Sequence, residues 1–211
     1  MKLKLDLHVH TNRSSDAFTS PKQLAIICRD RGIDGLAITD HNVLSVDSSN
    51  EAVFLPGIEI SARDGHIIGL GLSETVPRGL SADETLQRIR DLHGVSIIPH
   101  PYDLLRSSVR PHTLTVRPDA IEVINSSSFL HSVTWKRARK YAEKKNYPMT
   151  AGSDSHIPET IGRAFTEVES PSKSTEAVLA ALRSGLVSPV GGPIRVSERV
   201  RKMFHAKHEG N

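Results

Sequence analysis

Hydrophobic residues gather in short runs separated by turn signals rather than in long stripes. Residues 3–9 are apolar with polar interruptions and predict a first strand. Similar runs at 35–39, 53–55, 66–72, 95–98, 120–124, 148–151, 165–168 and 186–190 predict further strands. The run at 53–55 continues extended over 58–60, beyond a break at Pro56-Gly57. Between several of these the period becomes helical. Ser20-Pro21 opens a helix as N-cap and first-turn proline, Leu24, Ile27 and Cys28 form its stripe, and Gly32 ends it. Ser81 and Glu84 make a capping box ahead of Leu86, Ile89 and Leu92, with Gly94 as the stop. Residues 133–145 predict a strongly basic amphipathic helix with Trp135 and Ala138 among its less polar positions. Ser174 starts a last helix through Val178, Leu179 and Leu182 to Gly185.

Strands alternating with helices predict an α/β fold of parallel β/α units. A complete eight-unit barrel takes about 250 residues. This chain has 211 and some short connections, so a smaller, irregular barrel is expected. Neither an internal repeat nor a Gly-rich phosphate loop is present.

Composition adds limits. No run approaches the roughly 18 apolar residues of a membrane span, and the N-terminal MKLKLDLHVH is a fold strand rather than a signal peptide. One cysteine, Cys28, cannot staple the chain, so an intracellular, cytoplasmic protein is expected. The net charge of +3 invites a nucleic-acid reading, but residues 195–211 carry all of it, through Arg195, Arg199, Arg201, Lys202 and Lys207 against Glu198 and Glu209. The expected organisation is a catalytic domain over 1–194 and a basic C-terminal tail over 195–211. That tail is a solvated terminus or a site for an anion or partner. Lys202, beyond the last strand, is expected to play no part with a small substrate.

The chemistry sits at strand ends. His8 and His10 are separated by one residue, so in a strand both point to one side and can reach one metal. Asp154 and His156 repeat that spacing after Gly152. Asp40-His41 follows one strand, Glu59 follows Pro56-Gly57-Ile58, and His100 stands between Pro99 and Pro101 where ladder pairing must end. Asp16 adds a carboxylate in the first loop. Ligands after successive strands are what a β/α barrel site requires.

These residues resemble the polymerase-and-histidinol-phosphatase (PHP) superfamily. The motifs are Asp6-Leu7-His8-Val9-His10-Thr11, Ile38-Thr39-Asp40-His41-Asn42, Pro99-His100-Pro101 and Gly152-Ser153-Asp154-Ser155-His156, with Pro56-Gly57-Ile58-Glu59 supplying a glutamate between the second and third. The resemblance spans roughly residues 3–190 and implies a distorted seven-stranded β/α (TIM-like) barrel with a two- or three-metal centre. It implies His8, His10, Glu59 and Asp154 at a first ion, Asp16, His41 and His156 at a second, and Glu59 and His100 at a third. Asp16 matches the branch with aspartate in this loop, which includes nucleotide phosphatases, and departs from the branch with histidine. His131 is a weaker ligand candidate for the third ion, or is simply a solvated surface residue. His66 is weaker still, because it begins a strand. Asp40 would support the ligands from behind.

The donor set suits Zn²⁺, Mn²⁺ or Fe²⁺ better than Mg²⁺. Arg106 and Arg163 follow ligand motifs and could each grip a phosphate bidentately, or be ordinary exposed arginines. The expected activity is phosphoester hydrolysis by a metal-bound hydroxide, on small phosphomonoesters or nucleotides. One rival is a 5′-end-directed nuclease on short RNA or DNA, supported by Lys136, Arg137, Arg139, Lys140, Lys144 and Lys145 and opposed by the scarcity of aromatics for base stacking. Another is a non-catalytic, metal-stabilised binding domain, which would be expected to have lost some of His8, His10, Glu59, Asp154 or His156. The partner implied is a small phosphorylated substrate, with nucleic acid possible and no membrane. Oligomeric state is not readable from the sequence.

Overall fold

A computed structural model describes residues 1–208. Nine strands form one mixed sheet: β1 (Lys2–Val9), β2 (Gly35–Ile38), β3 (Val53–Ala62), β4 (Gly65–Leu70), β5 (Val95–Ile98), β6 (Ala120–Asn125), β7 (Met149–Gly152), β8 (Ala164–Glu169) and β9 (Val187–Gly191). Their spatial order is β7-β6-β5-β4-β3-β2-β1-β8-β9. All nine sequence runs are strands, so the described residues exceed the seven strands implied by the resemblance. The all-parallel expectation also needs correction. β4 is antiparallel to β3 and β5, while β8 is antiparallel to β1 and β9. The connection explains the first reversal, because β3 and β4 are joined too tightly for the crossover a parallel pair needs.

Pro56-Gly57 is not a break. β3 runs through it and changes partner there, pairing with β2 over Val53–Pro56 and with β4 from Gly57 onward. Proline has no N–H to give to a ladder, and a Cβ at Gly57 would lie 2.8 Å from the Ile38 carbonyl oxygen.

The sheet curls until β7 meets β1 and β8. Asp154 donates its N–H to the His8 carbonyl at 2.8 Å, His10 donates to Ser155 at 2.9 Å, and Thr166 Oγ1 accepts from Ala151 N at 2.9 Å. The result is a nearly closed, barrel-like sheet in a mixed α/β fold. The seam closes because Gly152 has no side chain: a Cβ there would sit 2.4 Å from that of His8.

Four helices follow the sequence signals: α1 (Leu24–Arg31), α2 (Ala82–Asp91), α3 (His131–Lys145) and α4 (Thr175–Arg183). Gly32 ends α1 in the left-handed conformation at φ 65°. Ser81 and Glu84 close their capping box on α2. α3 buries Thr134, Ala138 and Ala142 and turns its basic residues outward. Core side chains such as Leu5, Leu36, Leu55, Ile68 and Ile97 are at most 1% exposed. A further helix, α5 (Val196–His208), occupies most of the segment read as a tail. Glu209 lies outside the described residues. No helix among the described residues is long and apolar enough to cross a membrane.

Candidate metal centre

The strands deliver their polar residues to one end of the barrel. β1 carries His8 and presents His10 just beyond it, with ring centroids 5.2 Å apart. His41 follows β2, Glu59 lies in β3, His66 in β4, His100 after β5, and Asp154 and His156 after β7. His100 and Asp154 hold left-handed backbone at φ 33° and φ 51°. Non-glycine residues rarely adopt that conformation, and where they do it aims a side chain at a cost.

Glu59, 1% exposed, is the hub. Its carboxylate is 3.0 Å from His41 Nδ1, 3.1 Å from His66 Nδ1, 3.2 Å from His100 Nε2 and 3.4 Å from Nε2 of both His8 and His10. Asp154 Oδ1 lies 3.6 Å from His10 Nε2 and 3.8 Å from His8 Nε2. On the open side, Asp16 is 3.0 Å from His156 Nε2 and 3.8 Å from His41 Nε2.

Supporting groups fix these rings. Glu122 Oε1 is 3.1 Å from His8 Nδ1, and its other oxygen accepts from the His100 backbone N at 2.6 Å. Asp40 accepts from Thr11, Ser14 and Ser45. Ser14 Oγ in turn receives the His41 N–H at 2.9 Å and stands 3.5 Å from His10 Nδ1. Asp40 thus acts on the cluster through Ser14. Asp6 braces the Gly152–His156 segment by accepting from Ser153 N at 2.9 Å, and burial pushes its carboxyl up to about 6 against the opposing effect of that and neighbouring hydrogen bonds.

Electrostatics reflect dense packing of opposite charge. Burial works against charged forms everywhere here. At Glu59 it is overcome by His8 and by hydrogen bonds from His100, His41 and His66, so the carboxyl stays well below its usual range. Asp154 is held low against burial by Arg106, His8, His156 and His100. Asp16 is held low against burial chiefly by His156. His8 is raised despite burial by Asp154, Glu122 and Glu59. His10 is lowered by burial and by the neighbouring His156 and His8.

The donor set fits divalent ions. Nε2 of His8 and of His10 are buried without a hydrogen-bond partner, although each faces carboxylate oxygens at 3.4–3.8 Å. Two ligands about 2.1 Å from one tetrahedral ion lie about 3.4 Å from each other, so these orphaned nitrogens have the spacing of co-ligands. Four overlapping donor groups occur: His10/His41/His156, His8/His10/Glu59, His8/His100/Asp154 and His41/Glu59/His66.

The structure brings together His8, His10, Asp16, His41, Glu59, His100, Asp154 and His156. His131 is in none of the donor groups; it starts α3 and packs its ring 5.2 Å from that of Trp135. His66 joins the cluster after all. It begins its strand, but β4 is antiparallel, so that start lies beside the end of β3, with His66 opposite Ser61.

The two arginines separate. Arg106 pairs with Asp154 inside the cluster. Arg163 instead pairs with Glu198 of α5, its Nε donating at 3.0 Å. Glu122 was not anticipated, although an acid inside the apolar Ala120–Asn125 run was its signal. Lys202 is half-buried on α5, three residues beyond Arg199, where the charges of Asp154, Asp16, Arg106 and Arg199 reach it.

The chain is similar to several known proteins. A family model described as PHP-associated matches residues 135–187. Two uncharacterized proteins of Methanocaldococcus jannaschii are similar to the chain. One is 31% identical over 59% of this chain and 82% of its own length. The other is 35% identical over 77% and 69%. A 5′-3′ exoribonuclease of Haemophilus influenzae is 30% identical over 49% of this chain and 44% of its own. Among solved structures, PsfC of Pseudomonas syringae has a TM-score of 0.71 at 17% identity, covering 99% and 98% of the two chains. A two-domain Bacteroides vulgatus protein containing a predicted PHP-like metal-dependent phosphoesterase has a TM-score of 0.69 at 19% identity, covering 97% and 70%. A lesion-specific endonuclease of Pyrococcus furiosus has 0.61 at 16%, covering 87% and 56%. The structural likenesses bear on the fold; the PHP-associated match, with the histidine and carboxylate motifs, makes the chain a member of the PHP superfamily.

Proposed function

We propose that the chain is a metal-dependent phosphoesterase acting on small phosphomonoesters or nucleotides. The observation that carries this is Glu59, a buried carboxylate touched by five imidazoles, two of which keep an orphaned Nε2 aimed into the same space. His8, His10, Glu59 and Asp154 would hold one ion, Asp16, His41 and His156 a second, and Glu59, His100 and His66 a third. Zn²⁺, Mn²⁺ or Fe²⁺ suits imidazole-rich donors best. Such ions supply activated water at neutral pH and neutralise charge on phosphoryl oxygens.

The chain's own groups do the positioning. Glu122 fixes His8, and Asp40 through Ser14 fixes His10. Ser108 Oγ, 3.2 Å from His100 Nδ1, orients that ring. Arg106 is the cation nearest the cluster, and its guanidinium can turn from Asp154 to the equatorial oxygens of a phosphoryl group. His41 and Asp16, 28% and 51% exposed, mark the side where substrate enters. Cys28 is buried in α1 and absent from the donor groups, so no thiol nucleophile serves the site.

The test is a phosphate-release screen with metal-reconstituted protein, over sugar phosphates, amino-alcohol phosphates, nucleoside monophosphates and bisphosphates. Release that disappears on chelation supports the proposal. No release from any ester, with the metal fully loaded, rejects it.

A nuclease is the second reading, and one feature favours it. A cavity of about 420 Å³ beside the cluster is lined by Arg106, Arg110 and Arg137 with Tyr102 and His112, and Arg137 lies 4.8 Å over the Tyr102 ring. Cations and rings together suit a nucleic-acid strand. Much higher activity on short oligonucleotides than on mononucleotides, falling steeply with salt, would favour it.

A further inference from the structure

The C-terminal helix reaches the metal centre and is clasped there. Ile194 N donates to the Ser126 carbonyl at 2.9 Å as the chain enters α5. Glu198, buried, accepts from Arg163 Nε at 3.0 Å and from Arg195 N at 2.7 Å. Arg199 donates to the carbonyls of Ser127 at 3.1 Å and Ser128 at 2.9 Å, and lies 4.2 Å over the Phe129 ring. Ser127 O also receives Arg106 Nη2 at 3.4 Å. The two guanidiniums therefore share one carbonyl at the edge of the cluster.

One turn along α5 from Arg199, and so on the same side of the helix, Lys202 is half-buried, within the field of Asp154, Asp16, Arg106 and Arg199. Its ammonium makes no hydrogen bond or ion pair with the described residues. Both guanidiniums already spend donors on protein carbonyls, whereas Lys202 spends none. A partly desolvated cation in the field of two others is unfavourable unless an anion completes the set. Asp154 is engaged by Arg106 and belongs to the metal donors, so it is not free to be that anion once ions bind.

We propose that Lys202 is a phosphate-binding residue of this site, and that the Arg163–Glu198 pair is the latch that holds its helix in place. The proposal rests on the phosphoesterase reading for what the anion is. It makes α5 part of the site and gives Arg163 a positioning role through Glu198 instead of a grip on substrate. Depression of the Lys202 pKa by burial, with Arg106 and Arg199 adding to it against Asp154 and Asp16, is consistent with a cation placed to receive an anion.

The test is calorimetric titration of the full, metal-reconstituted chain with inorganic phosphate, alongside metal analysis. Lys202→Met should weaken phosphate binding about tenfold or more with metal content unchanged, and Lys202→Arg should restore most of it. Glu198→Gln should reproduce part of the loss by loosening α5. Lys144→Met, on the outer face of α3, should change nothing. Steady-state kinetics on any hydrolysed ester should show the same order, mainly in KM. Phosphate binding in Lys202→Met within about twofold of the wild type, or no phosphate binding by the wild type at all, overturns the proposal. Binding that depends on Lys202 without hydrolysis of any ester would instead reject the phosphoesterase reading and leave the Lys202 assignment standing.

Discussion

At the scale of single residues, the chemistry concentrates where polar groups are buried yet unsatisfied by protein alone. His10 and Asp154 face each other at 3.6 Å across that space. Replacing either with alanine removes a donor whose geometry fixes the reacting groups, and turnover depends on such positioning. We expect His10→Ala and Asp154→Ala to lower metal content and to reduce turnover by about 100-fold or more, measured by elemental analysis and steady-state kinetics on one good substrate. Full metal loading with full activity in His10→Ala would refute the site. Cys28 presents the opposite case. Burial, with the charges of Asp6 and Asp34 adding to it, pushes its thiol up to about 12. Near pH 8 only about one thiol in ten thousand is then ionised, and the thiolate is the reactive form. A soluble disulfide reagent should label Cys28 in denaturant and leave the native protein untouched. Rapid native labelling would show that α1 opens. Most donors were legible as residues because the i,i+2 spacing of a strand and the prolines around His100 leave a mark on the sequence. Glu122 and Lys202 were not, since their roles depend on which strand or helix lies alongside.

At the scale of elements, the run-and-turn pattern gave all nine strands and the first four helices, while strand direction escaped it. Short apolar runs look the same whether a neighbour is parallel or antiparallel, and the difference decides which end of β4 faces the site. That is why His66 looked misplaced from sequence and is not. The tail was harder still: α5 docks through Glu198 and Arg199, contacts between segments more than thirty residues apart. The element contact that bears on the cluster is the seam of β7 and β1. A Cβ on Gly152 would meet the His8 Cβ at 2.4 Å and Glu122 Oε1 at 2.8 Å, both belonging to buried, hydrogen-bonded side chains. Neither can give way without moving His8. Gly152→Ala should therefore destabilise the fold by about 1–3 kcal/mol, the usual cost of overpacking, and should also weaken metal binding. Denaturant unfolding and metal titration check the two effects together. A loss of stability with metal affinity intact would mean that the seam is structural and does not position His8.

At the scale of the whole molecule, one cluster draws on six strands or the turns that follow them, so its state is coupled to the closure of the sheet. Ions that bind the folded chain and not the unfolded one stabilise it by mass action, about 2.7 kcal/mol at a hundredfold excess over Kd. For a chain of this length that corresponds to roughly 5–10 °C in Tm. Chelation should remove this amount, and the size of the effect should depend on pH with a definite sign. His8 has its pKa raised in the fold by Asp154, Glu122 and Glu59 acting against burial. The stability a raised histidine contributes is complete below its unfolded pKa and is lost as pH rises through the folded value. With ions bound, the same carboxylates are neutralised by metal, and deprotonated imidazole is the form that ligates. Chelated protein should therefore lose Tm between about pH 6 and about pH 8, while metal-loaded protein holds steady or gains. The gap between the two should be wider at the higher pH. Thermal unfolding with and without chelator at both values is the measurement. A Tm indifferent to chelator at each pH would mean that the imidazole and carboxylate cluster is held together by its own hydrogen bonds, and that no ion is part of the folded protein.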